Sequence, residues 1–145
     1  MKISDFLLPA NVTADAAYSD RQRVLEALAQ KAGPIVDVLA DRILADLLKR
    51  EQLGSTGVGG GVAIPHARYH QIEKPFGMLL RLRKPIDFDA VDGNPVDTVF
   101  LLLLPGSHRM VFQKTLPWLQ RYSQKLPQSV KTIHNQLKRR SPGLS

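Results

Sequence analysis

Two stretches in the first third of the chain repeat apolar residues at helical intervals. Val24, Leu25, Leu28, Ala29 and Ala32 lie on one face of a helix, with Ser19 and Gln22 three residues later set as a capping box at its start. Gly33-Pro34 is predicted to end that helix. A second helix is expected over about 36–51, with Val36, Leu39, Ile43 and Leu47 on one face and Ala40 beside them. Lys49 and Arg50 fall in its last turn, where cations complement the carbonyl end of the helix dipole. Later the period shortens. Residues 77–83 alternate Met78, Leu80, Leu82 against Leu79, Arg81, Arg83, as in a strand with one face more buried. Lys84-Pro85 and residues 92–95, DGNP, read as turns, and 98–104 as a strand buried on both faces. The order of elements points to an α/β fold, a mixed β-sheet flanked by α-helices in a single compact domain.

Between the helices and these strands lies GSTGVGGGVAIPHAR, residues 54–68. Its glycines let a phosphate or a partner approach the main chain, and exposed amides in such a loop form an anion-binding concavity. Ser55 and Thr56 add hydroxyl donors, and Gly57 a further amide. Val62-Ala63-Ile64 reads as a short buried strand, after which Pro65 holds His66 where strand gives way to loop. A histidine that receives a phosphoryl group needs access, donors for the phosphate oxygens and a fixed ring, and the segment offers all three. It is neither a Walker loop, because Val62 rather than Lys follows Gly61, nor a dinucleotide fingerprint, because Val62 stands where the third glycine belongs. From composition alone, a tight turn with a structural histidine competes with the phosphoryl reading. His70, four residues after His66, makes no zinc motif: Pro65 precedes the pair and no acidic residue lies between them. No metal is expected.

The run 49–68, KREQLGSTGVGGGVAIPHAR, closely resembles the active-site signature of phosphotransferase-system enzyme IIA domains of the fructose, mannitol and nitrogen-regulatory group. The likeness covers about 1–105, through RLRKPIDFDAVDGNPVDTVFLLLLP, and is nearest the nitrogen-regulatory type. It implies that His66 is the phosphoryl acceptor and that Arg50 helps hold the phosphate, for which a planar guanidinium fork is suited. Ser55, Thr56 and Gly57 are the accompanying phosphate-binding candidates. It also implies a histidine phosphocarrier protein as donor, no cofactor, and either regulated target proteins or a IIB domain as recipient. The expected activity is therefore that of a phosphotransferase component acting in nitrogen or metabolic regulation. The alternatives are a sugar-specific IIA component and an interaction protein on the same scaffold that no longer transfers phosphoryl groups.

The 145 residues suffice for one domain with a real core, and the absence of cysteine excludes disulfides and thiolate metal sites. Neither a signal peptide nor a membrane span is read in the chain, so a cytoplasmic location is expected. Charge divides the chain at residue 105. Residues 106–145 hold eight Lys or Arg and no acid, whereas 1–105 hold twelve basic and thirteen acidic residues, so the net +7 comes from the C-terminal segment. The chain is accordingly read as a IIA-like core at 1–105 and a basic, divergent, partly helical segment at 106–145. That segment is read as a divergent helical ending, the product of a reading-frame change, or a basic arm that binds nucleic acid or an acidic partner; nucleic-acid binding ranks below the first two. The family's second histidine has no assignable match, since His108 follows Pro105 too closely and His134 comes too late.

Overall fold

The computed structural model describes residues 7–106, so the expectations for 107–145, His108 and His134 included, lie outside the described residues. A 3-10 turn at Pro9–Asn11 leads into β1 (Val12–Ala16), followed by α1 (Arg21–Val36) and α2 (Ala40–Gln52). Then come β2 (Gly57–Gly59), β3 (Val62–Ala63), β4 (His66–Tyr69), β5 (Phe76–Ile86) and β6 (Val96–Pro105). The strands form one mixed six-stranded sheet ordered β1-β5-β6-β3-β2, with β4 also on β6. β1 runs parallel to β5, β5 antiparallel to β6, and both β3 and β4 parallel to β6.

The apolar faces of α1 and α2 meet one side of this sheet. Val24, Leu25, Leu28, Ile43 and Leu47 pack with Tyr69, Met78, Leu80, Val99, Leu101 and Leu103 in one core. The alternate residues Leu79, Phe100, Leu102 and Leu104 are buried as well, so β6 is enclosed on both faces as its unbroken apolar run predicts. Leu79, expected on the more open face of β5, pairs with Phe100 and is buried with it.

Four local expectations are corrected. The N-cap of α1 is Asp20, not Ser19: its carboxylate accepts the Arg23 backbone N–H at 2.8 Å, an anion placed at the positive end of the helix. Gly33-Pro34 does not stop α1. Pro34 sits inside the last turn, and the helix ends at Asp37, whose left-handed backbone (φ 58°) sends its N–H to the Gly33 carbonyl. That turn delays α2 to Ala40, puts Val38 into the core and leaves Leu39 79% exposed rather than on the buried face. Finally, Lys84-Pro85 lies within β5, at an irregularity between Arg81 and Ile86, where the missing proline N–H breaks no ladder bond.

β3 and β4 lie end to end along the same side of β6. Val62 pairs with Thr98 and Ala63 with Val99; after Ile64 and Pro65, His66 pairs with Leu102. The break is stitched by the Pro65 carbonyl, which accepts the Leu102 N–H at 3.0 Å, and by the Ile64 N–H, which donates to the Thr56 carbonyl at 2.9 Å. His66 is therefore the first residue of a strand rather than the start of a loop.

Candidate functional site

His66 is half-buried and its ring is fixed at one nitrogen. Nδ1 lies 2.9 Å from the Ile64 carbonyl oxygen. A carbonyl can only accept, so Nδ1 carries the proton and the neutral ring presents its lone pair at Nε2. Facing that lone pair is Arg50, whose Nε–H donates to Nε2 at 3.4 Å. This contact is long for a hydrogen bond, leaving an arrangement that an incoming anion can exploit. Burial pushes the His66 pKa below its ordinary value; the Ile64 carbonyl opposes that shift, and the positive charges of Arg50 and then Arg68 reinforce it. The imidazole is thus neutral and nucleophilic near neutral pH.

Arg50 comes from the last turn of α2 and is tethered at its other end. Its Nη1 donates to the Gly54 carbonyl at 2.7 Å. Gly54 adopts φ +143°, a conformation that a side chain would strain, so glycine is required for this carbonyl to turn back towards α2. Arg68 adds a second guanidinium to the same neighbourhood. Within β4, residues 66 and 68 project to one face while Ala67 and Tyr69 turn towards the helices, which places the Arg68 charge beside His66. A sequence reading that sets His66 at the end of a strand gives Arg68 no role; an i, i+2 pair within a strand is the signal that finds it.

The three small residues of the loop are committed to holding it in place. Ser55 Oγ donates to the Phe88 carbonyl and accepts the Gly57 N–H. Thr56, 3% exposed, donates both its hydroxyl and its backbone N–H to the Glu51 carboxylate. Gly57 packs so closely on residue 90 that a Cβ there would stand 2.8 Å from the Ala90 Cβ and 2.9 Å from its Cα. The glycine hairpin lies further off. Val62 is level with Thr98 and His66 with Leu102, so residues 59–61 sit roughly 13 Å along β6 from the imidazole. The Gly60 N–H donates to Asp92 Oδ2 at 3.0 Å.

Two supports emerge that the sequence did not announce. Glu51, with a side chain 4% exposed, accepts from Thr56 and pairs with Arg21 Nη1 at 3.6 Å. Tyr69, three residues after His66, donates its hydroxyl to Asp46 Oδ2 at 2.8 Å, and Arg42 lies over its ring at 5.0 Å. Burial, reinforced by the Asp46 carboxylate, raises the Tyr69 pKa far above the usual phenol range, so it stays a donor. Asp46 stands one turn before Arg50 on α2, so this bond sets the height of the helix over β4. His70 is exposed in the turn after β4, and no group of three or more potential metal ligands occurs among the described residues.

An imidazole whose Nδ1–H is held by a carbonyl, with its Nε2 lone pair facing one guanidinium and a second nearby, is suited to attack an anionic electrophile. Known proteins resemble this chain over most of its length. The family model of the phosphoenolpyruvate-dependent sugar phosphotransferase system, EIIA 2, matches residues 5–139. A nitrogen regulatory protein of Bradyrhizobium diazoefficiens is 43% identical over 105 residues, covering 72% of this chain and 69% of that one. The crystal structure of the nitrogen regulatory protein IIA-Ntr from Neisseria meningitidis superposes with a TM-score of 0.77 at 32% identity, covering 93% of this chain and 89% of the other. The enzyme IIA of Escherichia coli solved in complex with the phosphorylated mannitol enzyme IIB shares the fold alone, with a TM-score of 0.63 at 14% identity over 83% and 87% of the two chains.

Proposed function

The chain belongs to the EIIA 2 family of the phosphoenolpyruvate-dependent sugar phosphotransferase system, and from that premise we propose that Nε2 of His66 is its phosphoryl acceptor. A IIA protein is a phosphocarrier component of that system. The observation that carries the assignment is the pairing of a pinned Nδ1–H with a lone pair at Nε2 that faces Arg50.

The donor is a histidine phosphocarrier protein. The Nε2 lone pair of His66 attacks its phosphorus, the P–N bond of the donor breaks, and the donor ring leaves with the bonding pair. Positive charge develops on the His66 ring as the new P–N bond forms. The Ile64 carbonyl stabilises it by holding the Nδ1 proton. Such transfer depends on alignment and on neutralising the phosphoryl oxygens rather than on covalent help. Arg50 supplies the planar donor fork and Arg68 a second positive charge. Ser55, Thr56 and Gly57 hold the loop that anchors Arg50, and in this reading they serve the phosphate indirectly. Every group used here lies within 1–105, the proposed carrier core.

The phosphorylated form then acts on regulated target proteins. The sequence likeness to nitrogen regulatory proteins supports that role over delivery to a IIB domain. A surface phosphoryl group of nearly two negative charges is enough to neutralise the positive charge of Arg50 and Arg68 around it. Among the described residues no helix is long and apolar enough to cross a membrane.

The test is intact-mass analysis after incubation with a phosphorylated histidine phosphocarrier protein. One acid-labile phosphoryl adduct is expected on the native chain and none on His66→Ala. An adduct that persists in His66→Ala, or a folded native chain that takes none, would overturn the assignment, the latter in favour of a non-transferring interaction protein.

A further inference from the structure

Glu51 is buried, charged and one residue from Arg50, yet it does not touch His66. Its carboxylate gathers the Thr56 hydroxyl, the Thr56 backbone N–H at 3.2 Å and the Arg21 guanidinium at 3.6 Å. Its own backbone carbonyl accepts the Gly54 N–H at 3.1 Å. The short path from 51 to 56 is thereby folded back onto the end of α2, and at its middle the Gly54 carbonyl grips Arg50 Nη1 at 2.7 Å. Among the described residues, the other side-chain hydrogen bond of Arg50 is from Nε to His66.

We propose that Glu51 is a positioning residue for phosphoryl transfer. By clamping residues 54–56 it fixes the carbonyl that aims Arg50 at Nε2 of His66, and Arg21 is the counter-charge that lies against the clamp. The proposal rests on His66 being the acceptor. Three features support it over a role in stability alone. The bonds to Thr56 are charge-assisted, so they hold the loop more tightly than neutral contacts would. A carboxylate this buried is tolerated only when paired, and its partner Arg21 comes from a different helix, tying the start of α1 to the loop. The far side of the loop is fastened independently, by Ser55 to the Phe88 carbonyl and by the Val91 N–H to the Gly57 carbonyl at 3.1 Å. Release of Glu51 therefore frees the Arg50 side of the loop while the other side stays anchored.

The experiment compares the full chain with Glu51→Gln, Arg50→Ala, the double variant and Thr56→Val. Each is measured by single-turnover transfer from a phosphorylated histidine phosphocarrier protein over a range of donor concentrations, and by NMR titration of the His66 ring. Gln keeps the volume and one acceptor but loses the charge. The plateau rate of Glu51→Gln should fall about 10-fold with little change in half-saturating donor concentration, as expected when a group that orients the reaction is displaced. In the Arg50→Ala background the same substitution should cost less than about 2-fold, because both act through one guanidinium. The His66 pKa should rise in both single variants as the Arg50 charge moves away. Thr56→Val, which keeps the backbone bond to Glu51, should shift rate and titration in the same direction by less, and it carries the test if Glu51→Gln does not fold. An unmoved His66 titration with a native rate in folded Glu51→Gln, or a loss undiminished in the double variant, would overturn the proposal. If the native chain accepts no phosphoryl group, the acceptor assignment fails separately. The His66 titrations of the single and double variants then decide the positioning role.

Discussion

Replacing Arg50 by Ala removes two contacts, the Nε donation to His66 and the Nη1 anchor on the Gly54 carbonyl. Their effects on stability and on transfer should separate. The Gly54 bond is exposed, so its loss should destabilise the chain by about 1 kcal/mol or less. Transfer loses the guanidinium fork at the point where phosphoryl oxygens pass, and removing one preorganised donor of that kind typically costs ~10²–10³-fold in rate. Arg50 is only partly buried and Arg68 remains nearby, which places the expected loss at the lower end, about 10²-fold or roughly 2.7 kcal/mol in the barrier. Arg50→Lys keeps the charge without the fork and should fall between the two. Quench-flow transfer from a phosphorylated donor, beside urea unfolding of the same samples, measures both quantities. A rate within about 2-fold of native for folded Arg50→Ala would refute the reasoning, because no donor worth that little can be stabilising the transferred group.

Four further outcomes follow from the geometry. Because burial and the two arginines lower the His66 pKa, the transfer rate should stay level as pH falls through the ordinary histidine value near 6.5 and drop only below it. The unfolded chain takes up the His66 proton first in that window. Stability should therefore decline on acidification from about 6.5 towards the folded-state pKa, and the slope should lessen in His66→Ala. Gly57→Ala should destabilise by about 1–3 kcal/mol in urea titration, since its Cβ cannot be seated without moving the Ala90 backbone. Asp92→Ala, which unties only the Gly60 amide and the local Asn94 turn, should leave the transfer rate unchanged; a loss comparable to that of Arg50→Ala would show that the hairpin reaches the phosphate after all.

The readable features of this chain are those whose partners lie nearby in sequence. Apolar spacing located both helices, and the unbroken run at 98–104 announced an enclosed strand. The signature 49–68 held Arg50 and His66 within one contiguous motif. Features that depend on chain reversal stayed hidden. The left-handed turn at Asp37 lets the pattern Val36, Leu39, Ile43 continue on paper while the real helix restarts at Ala40. Ser55 and Thr56 look like ideal phosphate donors until the loop folds back and presents Glu51 and the Phe88 carbonyl to them. β1, with sequence VTADA, has too little apolar alternation to announce itself and exists because β5 offers it a ladder.

The end-to-end seating of β3 and β4 on β6 also governs which changes in length the chain can absorb. Residues added at the 59–61 hairpin would disturb its own contacts, the Gly60 N–H to Asp92 and the Gly61 carbonyl to the Asp97 and Thr98 N–H groups, and leave His66 opposite Leu102. A single residue gained or lost at Ile64-Pro65 is a different event: alternation would carry position 66 round to the side where Ala67 and Tyr69 meet the helices, sealing the imidazole inside. Drift in loop length thus leaves the ring in place on one side of a four-residue stretch and abolishes access to it on the other, so the spacing from Ala63 to His66 is a counted interval in this scaffold.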